Sequence, residues 1–287
     1  MLLEVTAVGI CGSDLPKFLS GGPSPLPGWP AHEIVATVIA GRSVQLATGT
    51  RVVGLASSHN GLAQRVISSA ETLIEVPRQM ADEHAVVIQP LATAHAALSR
   101  VRMLRGASVT VIGLGPLGLL LAHLADQAGA ATVTGIDRID RRAIAGAFGV
   151  HETVWSGSRA WATGPGAARG ADVVVEAVGH QTGTLNDAIA IASLDGHVMG
   201  FGVPDDSHYG IDYLTLFRKR LTLTAGTTYP WQPHLEAARA HLLEHPEIAR
   251  ELITHVLPAS AASYGYELAA KPAPSVRKVV VDLTTFA

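Results

Sequence analysis

From Ser108 to Ala125 the chain reads SVTVIGLGPLGLLLAHLA, an almost unbroken apolar run that divides into pieces of different kinds. SVTVIG is β-branched and apolar without alternation, the pattern of a parallel strand buried on both faces. GLGPLG interrupts it, and LLLAHLADQAGA has the composition of a helix packed on a sheet. Pro116 suits the first turn of that helix, where its missing N–H is no loss. The stretch is nearly long enough to cross a bilayer, but its pattern predicts strand, turn and helix instead.

The same rhythm continues downstream. ATVTGID, ETVW, ADVVVEAVG, HVMGFG and LTLTAGT predict further strands, and TLNDAIAIASLD predicts a helix. Six parallel strands with helices between them describe an α/β fold with a doubly wound parallel sheet, expected over residues 93–228. The flanks follow another pattern. Residues 1–92 show short β segments, HEIVATVIA, TRVVGLA and LAQRVISS, punctuated by Gly, Pro and Ser, and the segment 229–287 ends in a strand-like RKVVVDL. The expected organisation is a β-rich domain, 1–92 and 229–287, with the doubly wound domain inserted near its end.

A GxGxxG pattern alone is weak, but Gly113, Gly115 and Gly118 follow a strand and open a helix, and an acid, Asp137, ends the next strand 19 residues after Gly118. In that setting the glycines let the backbone approach a pyrophosphate at the helix N-terminus, and Asp137 accepts hydrogen bonds from both ribose hydroxyls. A 2′-phosphate would be repelled by Asp137, so NAD is expected rather than NADP; Arg138 beside it weakens that preference without reversing it.

Composition narrows the remaining classes. At 287 residues, 48% hydrophobic and 16% charged, the chain has ample core. Lys and Arg number 21 against 24 Asp and Glu, with no runs of either sign, so neither nucleic acid nor an acidic membrane surface is an expected partner. Cys11 is the only cysteine and has no internal disulfide partner; together with a start unlike a signal peptide, this predicts a cytoplasmic protein. By itself a lone thiol is most simply a small buried hydrophobe.

The order of motifs gives that thiol another reading. GICGSD, PGWPAHE, GLAQRV, QPLATAHAAL, VIGLGPLG and YELAAKPAPSVRKVVV resemble, across almost the whole chain, the landmarks of the medium-chain dehydrogenase/reductase family, and most closely its zinc-dependent alcohol and polyol dehydrogenase branch. The resemblance implies a GroES-like catalytic domain carrying an inserted Rossmann domain, and hydride transfer between NAD(H) and an alcohol or polyol. Cys11 and His32, 21 residues apart, match the first two ligands of a catalytic zinc, with Gln89 or Glu33 as the third. Such a set leaves one tetrahedral position open for a substrate oxygen. Ser13 matches the hydroxyl that hands on the substrate proton, Asp14 the carboxylate that orients the ligand histidine, and Glu33 a carboxylate beside the metal. Thr93, Pro116, Leu117 and Val203 match cofactor contacts, and Arg142 matches a basic residue near the adenosine. His95, His123, His180 and His197 lack ligand spacing and read as structural.

Four departures qualify the resemblance. No four-cysteine lobe for a structural zinc is present, only ASSHNG in that region. Pro16 replaces a proton-relaying histidine, leaving water, the ribose or Lys17 to complete the relay. Position 89 is Gln where the polyol branch has a metal-binding Glu. The chain also begins already inside a strand, MLLEVTAVG, so β structure usual in the family is expected to be missing before it. Open strand edges and the family's habit predict a homodimer or homotetramer. Two alternatives stay open at this point: a zinc-free reductase of quinones or activated double bonds, and a non-catalytic nucleotide-binding relative.

Overall fold

The computed structural model describes residues 1–285, so the last two positions of the segment 229–287 lie outside the described residues. Two compact units emerge, one formed by residues 1–92 with the chain from Pro230 onward, the other by Thr93–Tyr229. Along the chain the first unit contributes β1 (Leu2–Gly9), β2 (Glu33–Ala40), β3 (Arg51–Leu55), β4 (Arg65–Ile67) and β5 (Leu73–Glu75). The second contributes β6 (Ser108–Ile112), β7 (Thr132–Asp137), β8 (Glu152–Trp155), β9 (Ala171–Glu176), β10 (Ala192–Gly200) and β11 (Thr222–Ala225). The first unit then resumes with β12 (Ile253–Pro258) and β13 (Lys278–Asp282).

In the second unit all pairings are parallel and the strand order is β11-β10-β9-β6-β7-β8. This is the doubly wound order, with the chain reversing direction of growth beside β6, and ligands of such sheets bind at the carboxyl ends of the strands near that switch. The central strands are buried apolar runs, as both-face coverage by helices requires.

The helix expected to run through Asp195 stops at Ile191, and the ASLD that follows belongs to β10. A distant lysine explains the early stop. The Lys219 ammonium donates to the carbonyls of Ala190 and Ala192, both at 2.7 Å, satisfying groups that the helix end would leave without partners. The backbone turns extended at Ala192, which pairs with Ala171 of β9.

The first unit is built on a seven-stranded sheet ordered β12-β13-β1-β2-β3-β5, with β4 pairing to β1. Sequence pattern did not single out β5 or β12, the two ends of that order; β5 has three residues and β12 is half exposed, so neither carries a strong apolar signature. The core beneath this sheet gathers Leu3, Val5, Val8, Ile34, Val52 and Val281 around Tyr266. Tyr266, on helix Ala262–Ala270, stacks on Phe18 with ring centroids 4.7 Å apart and donates its hydroxyl to the Pro30 carbonyl. That bond fixes the segment leading into β2. Among the described residues no helix is long and apolar enough to cross a membrane.

Replacing Tyr266 by Phe keeps the ring but strands a buried carbonyl, and should lower unfolding stability by about 1–3 kcal/mol. Urea denaturation followed by circular dichroism measures this; an unchanged midpoint would show that the bond contributes nothing.

Candidate active site

Strand pairing brings the first cluster together. β1 and β2 are antiparallel with Gly9 opposite Glu33, so the residues just after β1 lie beside those that begin β2. Cys11 thus meets His32 and Glu33, and the three offer ligand atoms that all lie within 4.8 Å of one another. On its other side β1 pairs with β13, Gly9 opposite Val280, which brings in Lys278. The Lys278 ammonium pairs with Glu33 and donates to the Ile10 carbonyl at 3.0 Å. A Cβ on Gly9 would come within 2.1 Å of the Glu33 carboxylate and 3.0 Å of the Lys278 side chain, so the ion pair needs glycine there.

A short turn, Gly12–Asp14, organises the other side of the cluster. Asp14, fully buried, accepts from the Cys11 amide at 3.3 Å through Oδ2 and meets His32 Nδ1 at 3.0 Å through Oδ1. Asp14 orients the ring through Nδ1, which leaves Nε2, on the Cys11 side, as the nitrogen that could ligate a metal. Burial alone lowers the pKa of His32, but the Cys11 sulfur and hydrogen bonds with Asp14 and Cys11 outweigh it and raise the value well above that of an ordinary histidine. Ser13 donates its hydroxyl to Cys11 Sγ at 3.3 Å. Sulfur, imidazole and carboxylate at this separation, with the imidazole oriented by a carboxylate, are a donor set that fits zinc.

His59 was not singled out from the sequence, yet its ring centre lies 5.0 Å from that of His32, and Asp14, His32 and His59 form a second group of close donors. Its pKa is lowered, first by burial, then by His32 and Lys17, against the pull of Asp14. It sits in the ASSHNG turn after β3 with a positive φ of 53°; the only local signal is its place two residues before a glycine. Gln89 is buried near the start of helix Ile88–Leu98, which also carries Thr93 and His95; burial lowers the His95 pKa.

In the second unit, β6 runs into Gly113 at φ 91°, and helix Pro116–Gln127 follows. A Cβ on Gly118 would fall 1.7 Å from the Gly113 oxygen, so the helix can approach the turn this closely only without a side chain. Around Gly115, by contrast, a Cβ would meet nothing within 4 Å, and no side chain caps the helix. Uncapped N–H groups facing open space form a cradle that suits a pyrophosphate. Asp137, at the end of β7, accepts from the amides of Leu114 and Ile139, both at 2.7 Å. Its carboxylate is therefore fixed against the glycine turn, with lone pairs left for a ribose.

Two basic candidates have local occupations. Arg142 forms a two-pronged bond with Asp140 at 2.7 and 2.9 Å and lies 5.0 Å over the Trp155 indole. The Arg138 carbonyl accepts from the same indole N–H at 3.1 Å. Val203 is half exposed, and its carbonyl accepts from the His180 amide at 2.8 Å. Sequence reading also passed over Glu176, at the end of β9, whose buried Oε1 accepts from the amides of Val178 and Gly179 and from the Thr184 hydroxyl, each at 2.9 Å. It read as the tail of an apolar run; an acid ending a buried strand was the available signal.

Residues 1–78 match the alcohol dehydrogenase GroES-like domain, and residues 116–240 match the zinc-binding dehydrogenase domain, which together account for most of the chain. The chain belongs to the zinc-type alcohol dehydrogenases of the medium-chain dehydrogenase/reductase family. As a member it is an oxidoreductase. A probable zinc-binding alcohol dehydrogenase of Mycobacterium tuberculosis is 27% identical over 94% of this chain and 78% of that protein. The (R,R)-butanediol dehydrogenase of Bacillus subtilis is 27% identical over 47% of this chain, a match spanning about half (50%) of that relative's length. Among solved structures, an alcohol dehydrogenase from Thermus sp. ATN1 superposes with a TM-score of 0.83 at 26% identity, covering 98% of this chain and 92% of that one. This zinc-type dehydrogenase thus has the GroES-like and Rossmann parts that its motifs imply.

Because His32 in the metal-free protein holds its second proton to higher pH than an ordinary histidine, metal uptake must displace that proton, and affinity should rise with pH up to the raised value. Asp14→Asn should weaken zinc binding roughly 10–100-fold and reduce the protons released at neutral pH. Calorimetry in buffers of different ionisation enthalpy reads both; equal proton release in the variant would disconnect Asp14 from His32.

Proposed function

We propose that the chain is an NAD-dependent dehydrogenase that interconverts an alcohol or polyol and its carbonyl counterpart, using one zinc ion held by Cys11, His32 and Glu33, with Gln89 beside them. The observation that carries this reading is the convergence of three donors within 4.8 Å, one of them an imidazole already oriented through Nδ1. When bound, zinc supplies Lewis acidity that lowers the proton affinity of an alcohol oxygen, and NAD supplies the hydride acceptor.

The chain's own residues then have distinct tasks. Ser13, hydrogen-bonded to Cys11, receives the substrate hydroxyl's proton and passes it outward. Pro16 offers no relay group, so the proton leaves through water; Lys17, whose ammonium lies 5.8 Å over the Trp29 ring, is a cation and cannot accept it. Lys278 offsets the charge of Glu33, and Gln89 adds none, so the donor set leaves the ion with more of its positive charge than a free carboxylate pair would. Gly113, Gly115 and Gly118 admit the pyrophosphate, and Asp137 holds the ribose hydroxyls and disfavours a 2′-phosphate.

The second unit also supports self-association. Among the described residues β11 ends the six-stranded sheet with one unpaired edge, and the helix that precedes it in the chain, Tyr213–Arg218, exposes Tyr213, Leu214 and Phe217. An open edge and exposed apolar side chains on the same unit suit a second copy of this chain, giving a homodimer. Sedimentation velocity at micromolar concentration should show a dimer or larger assembly; monomer alone would remove this part of the proposal.

Cys11→Ser should lose both zinc, measured per chain after dialysis against a mild chelator, and alcohol-dependent reduction of NAD. Full activity with no metal bound would overturn the zinc reading. Asp137→Ala should weaken NADH binding by about 1–3 kcal/mol while raising tolerance of NADPH, as read by fluorescence titration of both cofactors. Unchanged NADH affinity would place the cofactor elsewhere.

A further inference from the structure

The amino-terminal ends of the strands in the second unit, opposite the glycine turn, enclose a cavity of about 410 Å³. Its floor is one face of the sheet. The register sets Ser108 beside Thr132 and Thr110 beside Thr134, with Glu152 next to Thr134, so these alternate positions point the same way. A sheet face in an α/β unit is ordinarily apolar and covered by a helix. Here Thr110 and Thr134 are only 5% and 7% exposed, and among the described residues their hydroxyls have no protein partner. Both line the cavity.

The rest of the lining limits what could fill it. Trp161 and Ile191 contribute apolar surface. Arg169 lies 5.5 Å over the Trp161 ring and is paired with Glu152, so the one strong cation in the lining is already neutralised. An anion finds no free counter-charge there. A hydroxyl both donates and accepts, so a hydroxyl-bearing ligand matches the two threonines, while its C–H surface matches the indole and the aliphatic wall. The volume lies within the range of small-molecule pockets. Along their strands Thr110 and Thr134 are each three residues from Gly113 and Asp137, roughly 10 Å at about 3.3 Å per residue.

We propose that this cavity is a second small-molecule site of the chain, distinct from the dehydrogenase site, that takes a small neutral polyhydroxylated compound. The proposal does not rest on the reading of the catalytic centre. Full-length protein labelled at Ile and Thr methyl groups is titrated with xylitol, without NAD, and followed by NMR. Saturable shifts are expected at the Ile191 methyl and at those of Thr110 and Thr134, and should persist in Cys11→Ser. In Thr110→Val with Thr134→Val, isosteric changes that keep the packing, affinity read at Ile191 should fall at least tenfold. If that double variant does not fold, Thr134→Val alone is read the same way. Absence of a saturable shift at Ile191 in the wild type, or undiminished affinity in the valine variant, would overturn the proposal and leave a hydrated void.

Discussion

Everything in the first unit's candidate site depends on β1 lying between β2 and β13 with glycine at position 9. That arrangement places a carboxylate and an ammonium on neighbouring strands and leaves no side chain between them. Both members of the pair are almost fully buried. Removing one charge of a buried pair costs about 3–5 kcal/mol, far more than a surface pair contributes, so the strand register and the charge balance of the site are one constraint. Cys11 and His32 inherit their positions from it, since each lies within two residues of the paired Gly9 and Glu33.

The second unit uses carboxylates differently. Asp137 and Glu176 end strands of the parallel sheet, and each accepts backbone N–H groups from the loop that follows its strand or a neighbour. Such bonds satisfy backbone donors and give an otherwise irregular loop a fixed course. The carboxyl edge of the sheet is therefore held in shape before any ligand arrives. At the amino edge Thr110 and Thr134, which have no protein partner for their hydroxyls among the described residues, line the cavity instead.

The six strands of the Rossmann sheet were legible because buried parallel strands are continuous apolar runs, and the glycine turn was legible because it sits between such a run and a helix. β5 and β12 were not, since an edge strand needs little apolar character to pair. The helix before β10 was read too long because Lys219, which ends it, is 28 residues beyond Ile191. The motif around Cys11 and His32 was readable as a resemblance, and the strand register supplies the reason for their meeting. Lys278 carried no usable pattern and His59 and Glu176 only weak local ones: what makes each of them matter is a partner that tertiary structure brings close.

The separation of Glu33 from Lys278 also has a bearing on biosynthesis. During translation the carboxylate leaves the ribosome first, and 244 residues lie between it and its counter-ion. At roughly 5–20 residues per second that interval is on the order of tens of seconds. In the meantime β1 and β2 have no β13 to pair with, and a carboxylate destined for the core is without its cation, so the nascent first segment has reason to stay open while the Rossmann unit, contiguous in the chain, can already fold. Completion of the buried pair beside Cys11 and His32 is thereby postponed until after most of the polypeptide has been made.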